Sequence, residues 1–185
     1  TGIYDAWNKG IHLSSGIWIS FIGADDIYME VALKKYESYA ISNPEVDFIH
    51  SNVMVVNNGK KIRSIHKNWQ WNKFRRYMEI AHVGAFHRSN YFKHYGVFNT
   101  SYRIAGDYEL LLRSKSKLKS IYFDSFTAQM EDGGVSNKFI TKAFKEAMHA
   151  KIHSGKVPYI YAKIDFYLSY FKYFGGKLKK YVKFD

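Results

Sequence analysis

What most limits the fold of this chain is its alternation of short β-prone runs with longer stretches of helical period. Ile17-Trp18-Ile19-Ser20-Phe21-Ile22 is a largely apolar run between Gly16 and Gly23. A strand covered on one face only would alternate, so this run predicts a fully buried strand. It ends at Gly23-Ala24-Asp25-Asp26, and two acids at the end of a central strand stand where open α/β sheets place their ligands.

The remaining segments follow the same alternation. Ile3, Ala6, Trp7 and Ile11 share one helical face up to Leu13, and Met29, Ala32, Leu33, Tyr36 and Ala40 share another between Ile27 and Ile41, with Asp25 or Asp26 as its N-cap. Asn43-Pro44 breaks that helix. A hairpin is expected from Val46 to Arg63, turning at Asn57-Asn58-Gly59, because Asn-Gly favours the positive φ of tight turns. Trp69, Trp71, Phe74 and Tyr77 lie in a basic segment without clear period, read as a helix or loop over a pocket. Ala81–Phe86 and Ser120–Phe126 predict strands; Ser89–Tyr95 and Gly106–Arg113 predict helices, the latter with Asp107 and Glu109 in its first turn. Strands separated by helices imply a mixed α/β sheet.

Beyond the turn Asp132-Gly133-Gly134 the pattern is helical. Lys138–His153 is amphipathic, and after Gly155 and Pro158 the chain becomes rich in Tyr, Phe, Ile and Lys. Ile160, Ile164, Leu168 and Phe171 form one apolar stripe, with Lys163, Lys172, Lys177, Lys179, Lys180 and Lys183 around it.

Charge narrows the partners. Twenty-eight Lys and Arg against 16 Asp and Glu give a net charge of +12, a field that draws phosphates, nucleic acid or anionic lipid headgroups. The absence of cysteine excludes disulfides, thiolate metal sites and Cys nucleophiles, and fits a reducing, cytoplasmic setting. No apolar run reaches the roughly 18–20 residues that span a bilayer. The opening Thr1-Gly2-Ile3-Tyr4 reads as part of something longer.

Five pieces in order carry a resemblance: Gly2-Ile3-Tyr4-Asp5-Ala6-Trp7-Asn8-Lys9-Gly10, Gly16 to Asp26, His82-Val83-Gly84-Ala85-Phe86-His87-Arg88, Arg103 to Arg113, and Gly133-Gly134-Val135-Ser136. Together they resemble the inverting family-two glycosyltransferases of bacterial polysaccharide and lipopolysaccharide synthesis. The resemblance implies a GT-A-like, Rossmann-like mixed sheet flanked by helices over residues 1–136. The family's first strand–helix–strand unit, which grips the nucleotide, would precede this chain. Residues 137–185 would form a C-terminal amphipathic helical region.

By the same resemblance, Asp26 would bind Mn2+ or Mg2+ and Asp25 would meet the ion's shell or the donor ribose, since a hard cation held by carboxylates and phosphates neutralises a departing diphosphate. Asp107 would be the base that takes the acceptor hydroxyl's proton. His82 would lie near the acceptor or diphosphate, and Asn8 and Lys9 on the nucleotide side. The donor would be a nucleotide-diphosphate sugar, UDP-linked by expectation, and the acceptor a saccharide or a lipid-linked hydroxyl.

The plainer readings are capping for Asp25, Asp26 and Asp107, a satisfied core histidine for His82, a surface i,i+4 pair for Glu109–Arg113 and a solvated face for His149 and His153. The tail, 157–184, would lie against anionic lipid at the inner membrane face. An exposed sheet edge would invite a homo-oligomer. The alternative is a basic, aromatic-rich nucleic-acid or membrane-surface module without catalysis; nucleic acid is disfavoured because no recognisable motif accompanies the charge and Asp25-Asp26 would repel a phosphate backbone.

Overall fold

The computed structural model describes residues 2–181, with side chains to 175. Chain order is α1 (Ile3–Leu13), β1 (Trp18–Ser20), β2 (Ile27–Tyr28), α2 (Ala32–Ser42), β3 (Phe48–Asn57), β4 (Lys60–Ile65), α3 (Trp71–Phe74), β5 (Ala85–Arg88), α4 (Ser89–Tyr95), α5 (Gly106–Ser114), β6 (Ser120–Glu131), α6 (Val135–Lys138), α7 (Ile140–His153) and α8 (Tyr159–Tyr181). This is the expected mixed α/β sheet flanked by helices, with a helical C-terminal segment.

The sheet runs β1-β5-β3-β6-β2, and β4 joins β3 beyond β5. Its centre is the parallel pair β3·β6, and its other pairs are antiparallel. Phe48, Ile49, Val53 and Val55 of β3 are fully buried, as a central strand requires. Register shifts between Ser51 and Val53 interrupt the β3·β6 ladder, and such irregularities raise local twist. They divide it into a half that pairs with β5 and one that pairs with β4 and β2. Asn58 and Gly59 turn the β3–β4 hairpin with φ of 49° and 74°, the left-handed pair that Asn-Gly supplies.

Three expectations need correction. The strand from Ile17 to Ile22 is an edge strand of three residues: it pairs only with β5, its side chains are half-buried, and Ile17 is 65% exposed. Phe21 alone of the run is buried, in the main core, while Ile17 and Ile22 are exposed, so the run is covered only in part. The helix expected from Ile27 begins at Ala32, without a side-chain cap, because Ile27 and Tyr28 pair with Gln129 and Ala128 of β6. Asp25 and Asp26 consequently cap no helix. The strand placed at Ala81–Phe86 starts at Ala85, after a 3-10 turn at His82–Gly84.

The last helix, α8, carries the stripe read above as a membrane-facing surface. Its apolar stripe does not face the domain: Ile160, Ile164, Leu168 and Phe171 are 40–70% exposed, while Ala162 and Asp165 on the opposite side are buried. The helix is seated by charge. Asp165 accepts from Arg76 Nε at 2.9 Å and from Lys151 Nζ at 3.3 Å, joining α8 to α7 and to the segment after α3. Lys151 and Asp165 are both buried, and burial presses the Lys151 ammonium below its usual range while Asp165 opposes that shift. The side chains of Lys177, Lys179 and Lys180, and residues 183–184 entirely, lie outside the described residues. Among the described residues no helix is long and apolar enough to cross a membrane.

Three buried imidazoles line one region of the core. His82 Nε2 meets His87 Nε2 at 3.0 Å, so one ring must donate and the other accept. His50 Nδ1 and Nε2, His82 Nδ1 and His87 Nδ1 find no hydrogen-bond partner among the described residues. Burial lowers His50 to about 4 and His82 to about 3, and holds His87 well below its usual range, with help from His82.

Two predictions follow from this packing. Folded-state pKa values depressed below about 6.5 give stability that is whole above pH 6.5 and declines on acidification, because the unfolded chain takes up the protons first. Asp107, raised to about 6, and Asp26, also raised by desolvation, act with the opposite sign, two groups against three. The melting temperature should fall from pH 7.5 to 5, and His50→Met should make that fall shallower. Asp165→Ala leaves Lys151 buried without its counter-charge and should cost about 3–5 kcal/mol in urea unfolding.

Candidate active site

The sequence motif around Asp107 is held by residues far away in the chain. Gly106 opens α5, and its N–H donates to Tyr4 Oη of α1 at 2.8 Å. Tyr4 spends its single proton on the Ile104 carbonyl at 2.7 Å, leaving Asp107 Oδ1 as a distant second neighbour at 3.5 Å. From α7, Glu146 accepts the N–H groups of Arg103, Ile104 and Ala105 at 3.1, 2.8 and 3.0 Å. These are orphan donors ahead of a helix whose own N-cap, Ala105, supplies no side chain.

Asp107 itself is partly buried, and Oδ1 accepts from the Tyr108 N–H at 2.8 Å. Burial lifts its carboxyl to about 6, against the opposing pull of these donors. It lines a cavity of about 410 Å³ whose other walls come from Arg76, Tyr77 and Met78, from Ser136 and Asn137, and from α7 and α8. The aromatic segment after β4 thus reaches this cavity: Phe74 is buried against Trp69, with ring centroids 4.3 Å apart, and Tyr108 Oη donates to the Arg75 carbonyl at 2.9 Å.

Asp25 and Asp26 lie in the connection that carries the chain from β1, at one edge of the sheet, to β2, at the other. They are not among the cavity's lining residues. Asp25 is exposed. Asp26 is half-buried; its Oδ2 accepts from Gly23 N–H at 3.2 Å and its Oδ1 from Glu131 N–H at 3.3 Å. Desolvation, with the charges of Asp25 and Glu131, pushes the Asp26 carboxyl up. Such a carboxylate gains from a nearby cation.

Among the described residues no three His, Cys, Asp or Glu converge into a metal cage. A pair of carboxylates on a turn instead suits an oxygen-seeking ion whose remaining ligands are water and substrate phosphates. The donor set therefore fits Mg2+ or Mn2+ completed by a diphosphate.

The other candidates have protein partners. Asn8 holds both ends of its amide on Phe98, donating to O and accepting from N–H, each at 2.9 Å. Lys9 is exposed and paired with Asp5 at 3.1 Å. His82 is buried between Trp7 and Phe21, centroids 5.1 and 5.2 Å away, and bonded to His87. His149 accepts from or donates to Tyr102 Oη at 2.8 Å. Glu109 and Arg113 do pair, but with Glu109 buried and Arg113 half-buried rather than both on the surface. Arg113 donates to both Glu109 oxygens and to the Tyr95 and Val97 carbonyls.

Tyr4 and Glu146 were not recognisable as site residues from sequence. Their partners lie about 100 and 42 positions away, and no local pattern announces such contacts. Gly106 is the one visible trace: a Cβ there would stand 2.6 Å from Tyr4 Cε2. Gly106→Ala should therefore displace the buried Tyr4 ring and cost about 1–3 kcal/mol, seen as a lower urea midpoint.

No family profile matches the chain. Curated relatives do: the PGL/p-HBAD biosynthesis glycosyltransferases of Mycobacterium bovis (strain BCG / Pasteur 1173P2) and Mycobacterium tuberculosis (strain ATCC 25177 / H37Ra) are each 28% identical over 151 residues, 77% of this chain and 56% of the relative. The chain thus spans about half the length of the curated relatives it matches. Among solved structures, S. aureus TarS 1-349 superposes with a TM-score of 0.61 at 12% identity, covering 89% of this chain and 49% of TarS 1-349. The same protein in complex with UDP-GlcNAc gives 0.60 at 12% identity, covering 89% and 51%. The fold is shared with these structures, and the curated relatives are glycosyltransferases.

Proposed function

We propose that this chain is the metal-binding and acceptor-side portion of a glycosyltransferase, which moves a sugar from a nucleotide diphosphate to an acceptor hydroxyl in cell-surface glycan synthesis. The observation that carries this reading is Asp107: a carboxyl raised to about 6, fixed at the first turn of α5 and lining a cavity, in a chain whose curated relatives are glycosyltransferases. The likeness to a fold solved with UDP-GlcNAc supports a nucleotide-sugar donor, UDP-linked in our reading.

An acceptor hydroxyl is a weak nucleophile, and a base with a pKa near 6 is mostly ionised at pH 7 while still able to hold a proton. Asp107 would take that proton as the hydroxyl attacks the anomeric carbon opposite the leaving diphosphate, which inverts the configuration. Tyr4 and Glu146 fix the backbone that carries it, so the carboxylate needs little rearrangement to act. Asp26, with Asp25 and the donor's phosphates, would hold Mg2+ or Mn2+, which offsets the charge developing on the leaving diphosphate. Asn8 and Lys9 on the nucleotide side, and His82 near the acceptor or diphosphate, have weaker support, because each is engaged within the protein. His82 would act through packing beneath Trp7.

The exposed stripe on α8, flanked by lysines, supports contact with an anionic membrane surface, as suits a transferase serving lipid-linked acceptors at the inner membrane face. The free side of β1 leaves room for a homo-oligomer or a neighbouring segment.

The test uses the longer polypeptide containing this chain, with Mn2+ and a panel of nucleotide-sugars. Asp107→Asn should lower transfer by about 100-fold or more, and Asp26→Ala should remove the response to Mn2+. For the active protein, kcat/KM should fall on acidification below pH 6 and level off above it, because the base must be ionised. Wild-type rates in Asp107→Asn would refute the assignment.

A further inference from the structure

Tyr77 gathers more positive charge than the surrounding carboxylates answer. Arg76 Cζ lies 5.5 Å from its ring centroid, Lys151 Nζ 5.4 Å and Lys172 Nζ 5.2 Å. The three cations come from separate places: the segment after α3, the last turn of α7 and the middle of α8. Lys172 stands two turns beyond Asp165 and so shares its face of the helix.

Among the described residues, Asp165 is the single carboxylate paired with this group. It engages Arg76 through Nε at 2.9 Å and takes one proton of the Lys151 ammonium at 3.3 Å. The Arg76 Nη groups and the other two Lys151 protons stay outside those bonds, and Lys172 meets no carboxylate within ion-pair distance among the described residues. Lys151 is 3% exposed, yet it lines the cavity that Asp107 borders. A buried ammonium with unspent donors is costly unless something accepts them. Even with Asp107 ionised on the α5 wall, the cations outnumber the acids here.

We propose that this junction is a binding site for a phosphate-class anion, held by Arg76, Lys151 and Lys172. The assignment stands apart from the reading of Asp107 as the base. A phosphate group has enough oxygens to accept from the Arg76 fork and from two ammonium groups together, whereas a carboxylate offers two. Each such charged hydrogen bond contributes about ten-fold or more in affinity. Two sources present this chemistry: a soluble phosphate ester entering the cavity, or a phospholipid headgroup, since Leu168 and Phe171 are exposed on α8 close to Lys172.

Inorganic phosphate titrated into the full chain at constant ionic strength, followed by calorimetry or phosphorus NMR, should bind saturably with a Kd of about 1 mM or tighter. Acetate should bind at least about ten-fold more weakly. Lys172→Gln, at an exposed position that leaves both Asp165 pairs intact, should weaken phosphate about ten-fold. Lys163→Gln removes the same charge from the same helix, where the ammonium lies over Tyr159 instead; it should weaken phosphate less than about two-fold. Arg76→Lys keeps the charge but loses the fork, and should also weaken binding while the melting curve stays cooperative.

Vesicles of mixed phosphatidylcholine and phosphatidylglycerol separate the sources. For a headgroup, Lys172→Gln should weaken vesicle binding several-fold more than Lys163→Gln, and inorganic phosphate should displace the vesicles. For a soluble ester, glycerol phosphate should bind at least as tightly as inorganic phosphate, and the two lysine variants should bind vesicles alike. Equal effects of Lys172→Gln and Lys163→Gln on phosphate binding, or no saturation of the unaltered chain below about 10 mM, would overturn the inference.

Discussion

The candidate site depends on one constraint: the backbone before α5 must be held without a cap of its own. Ala105 offers the helix no side-chain acceptor, so the N–H groups of residues 103–106 turn to Glu146 and Tyr4. One comes from α7 and the other from α1, and both place acceptors on positive helix-end groups. Their convergence ties three distant parts of the chain together around Asp107. The close approach of Tyr4 to Gly106 is part of the same arrangement, since any larger residue would push the ring away.

Electrostatics organises the rest. A chain of net charge +12 buries several acids, and each has a defined environment. Asp165 accepts two cations and secures α8; Glu109, in the first turn of α5, accepts Arg113 and Ser154. Asp107 and Asp26 instead receive backbone N–H groups and no cation within ion-pair distance among the described residues, and both carboxyls are raised by burial. The pairs of Asp165 join α8 to its neighbours, whereas the carboxyls of Asp107 and Asp26 are the ones to which catalytic and metal-binding roles are proposed. The buried imidazoles are a third case: they are kept neutral by a core of rings, with His82 and His87 sharing one hydrogen bond.

Local signals in the sequence were most reliable where local physics decides. The Asn57-Asn58-Gly59 turn, the helix from Ser89 to Tyr95 and the helix opening at Gly106 all lie where propensity and turn chemistry place them. Apolar pattern misled where the partner was not local. Ile17–Ile22 reads as buried, yet β1 is an edge; the seating of α8 through Ala162 and Asp165, opposite its apolar stripe, has no signal in the pattern. Hydrophobicity records that a residue benefits from cover, without specifying which surface provides it.

From its residues alone, the chain determined a mixed α/β fold with helices on its sheet, the acids Asp25, Asp26 and Asp107 as its chemical candidates, and a basic, aromatic C-terminal helix. These follow from periodicity, turn residues and charge, which act over a few positions. Tertiary structure alone decided that Asp107 borders a cavity while Asp25 and Asp26 occupy the crossing between sheet edges, that Tyr4 and Glu146 support the first, and that Lys151 and Arg76 meet at Asp165 to seat α8. Those outcomes rest on hydrogen bonds and ion pairs between residues up to about a hundred positions apart, whose geometry exists only once the chain has folded.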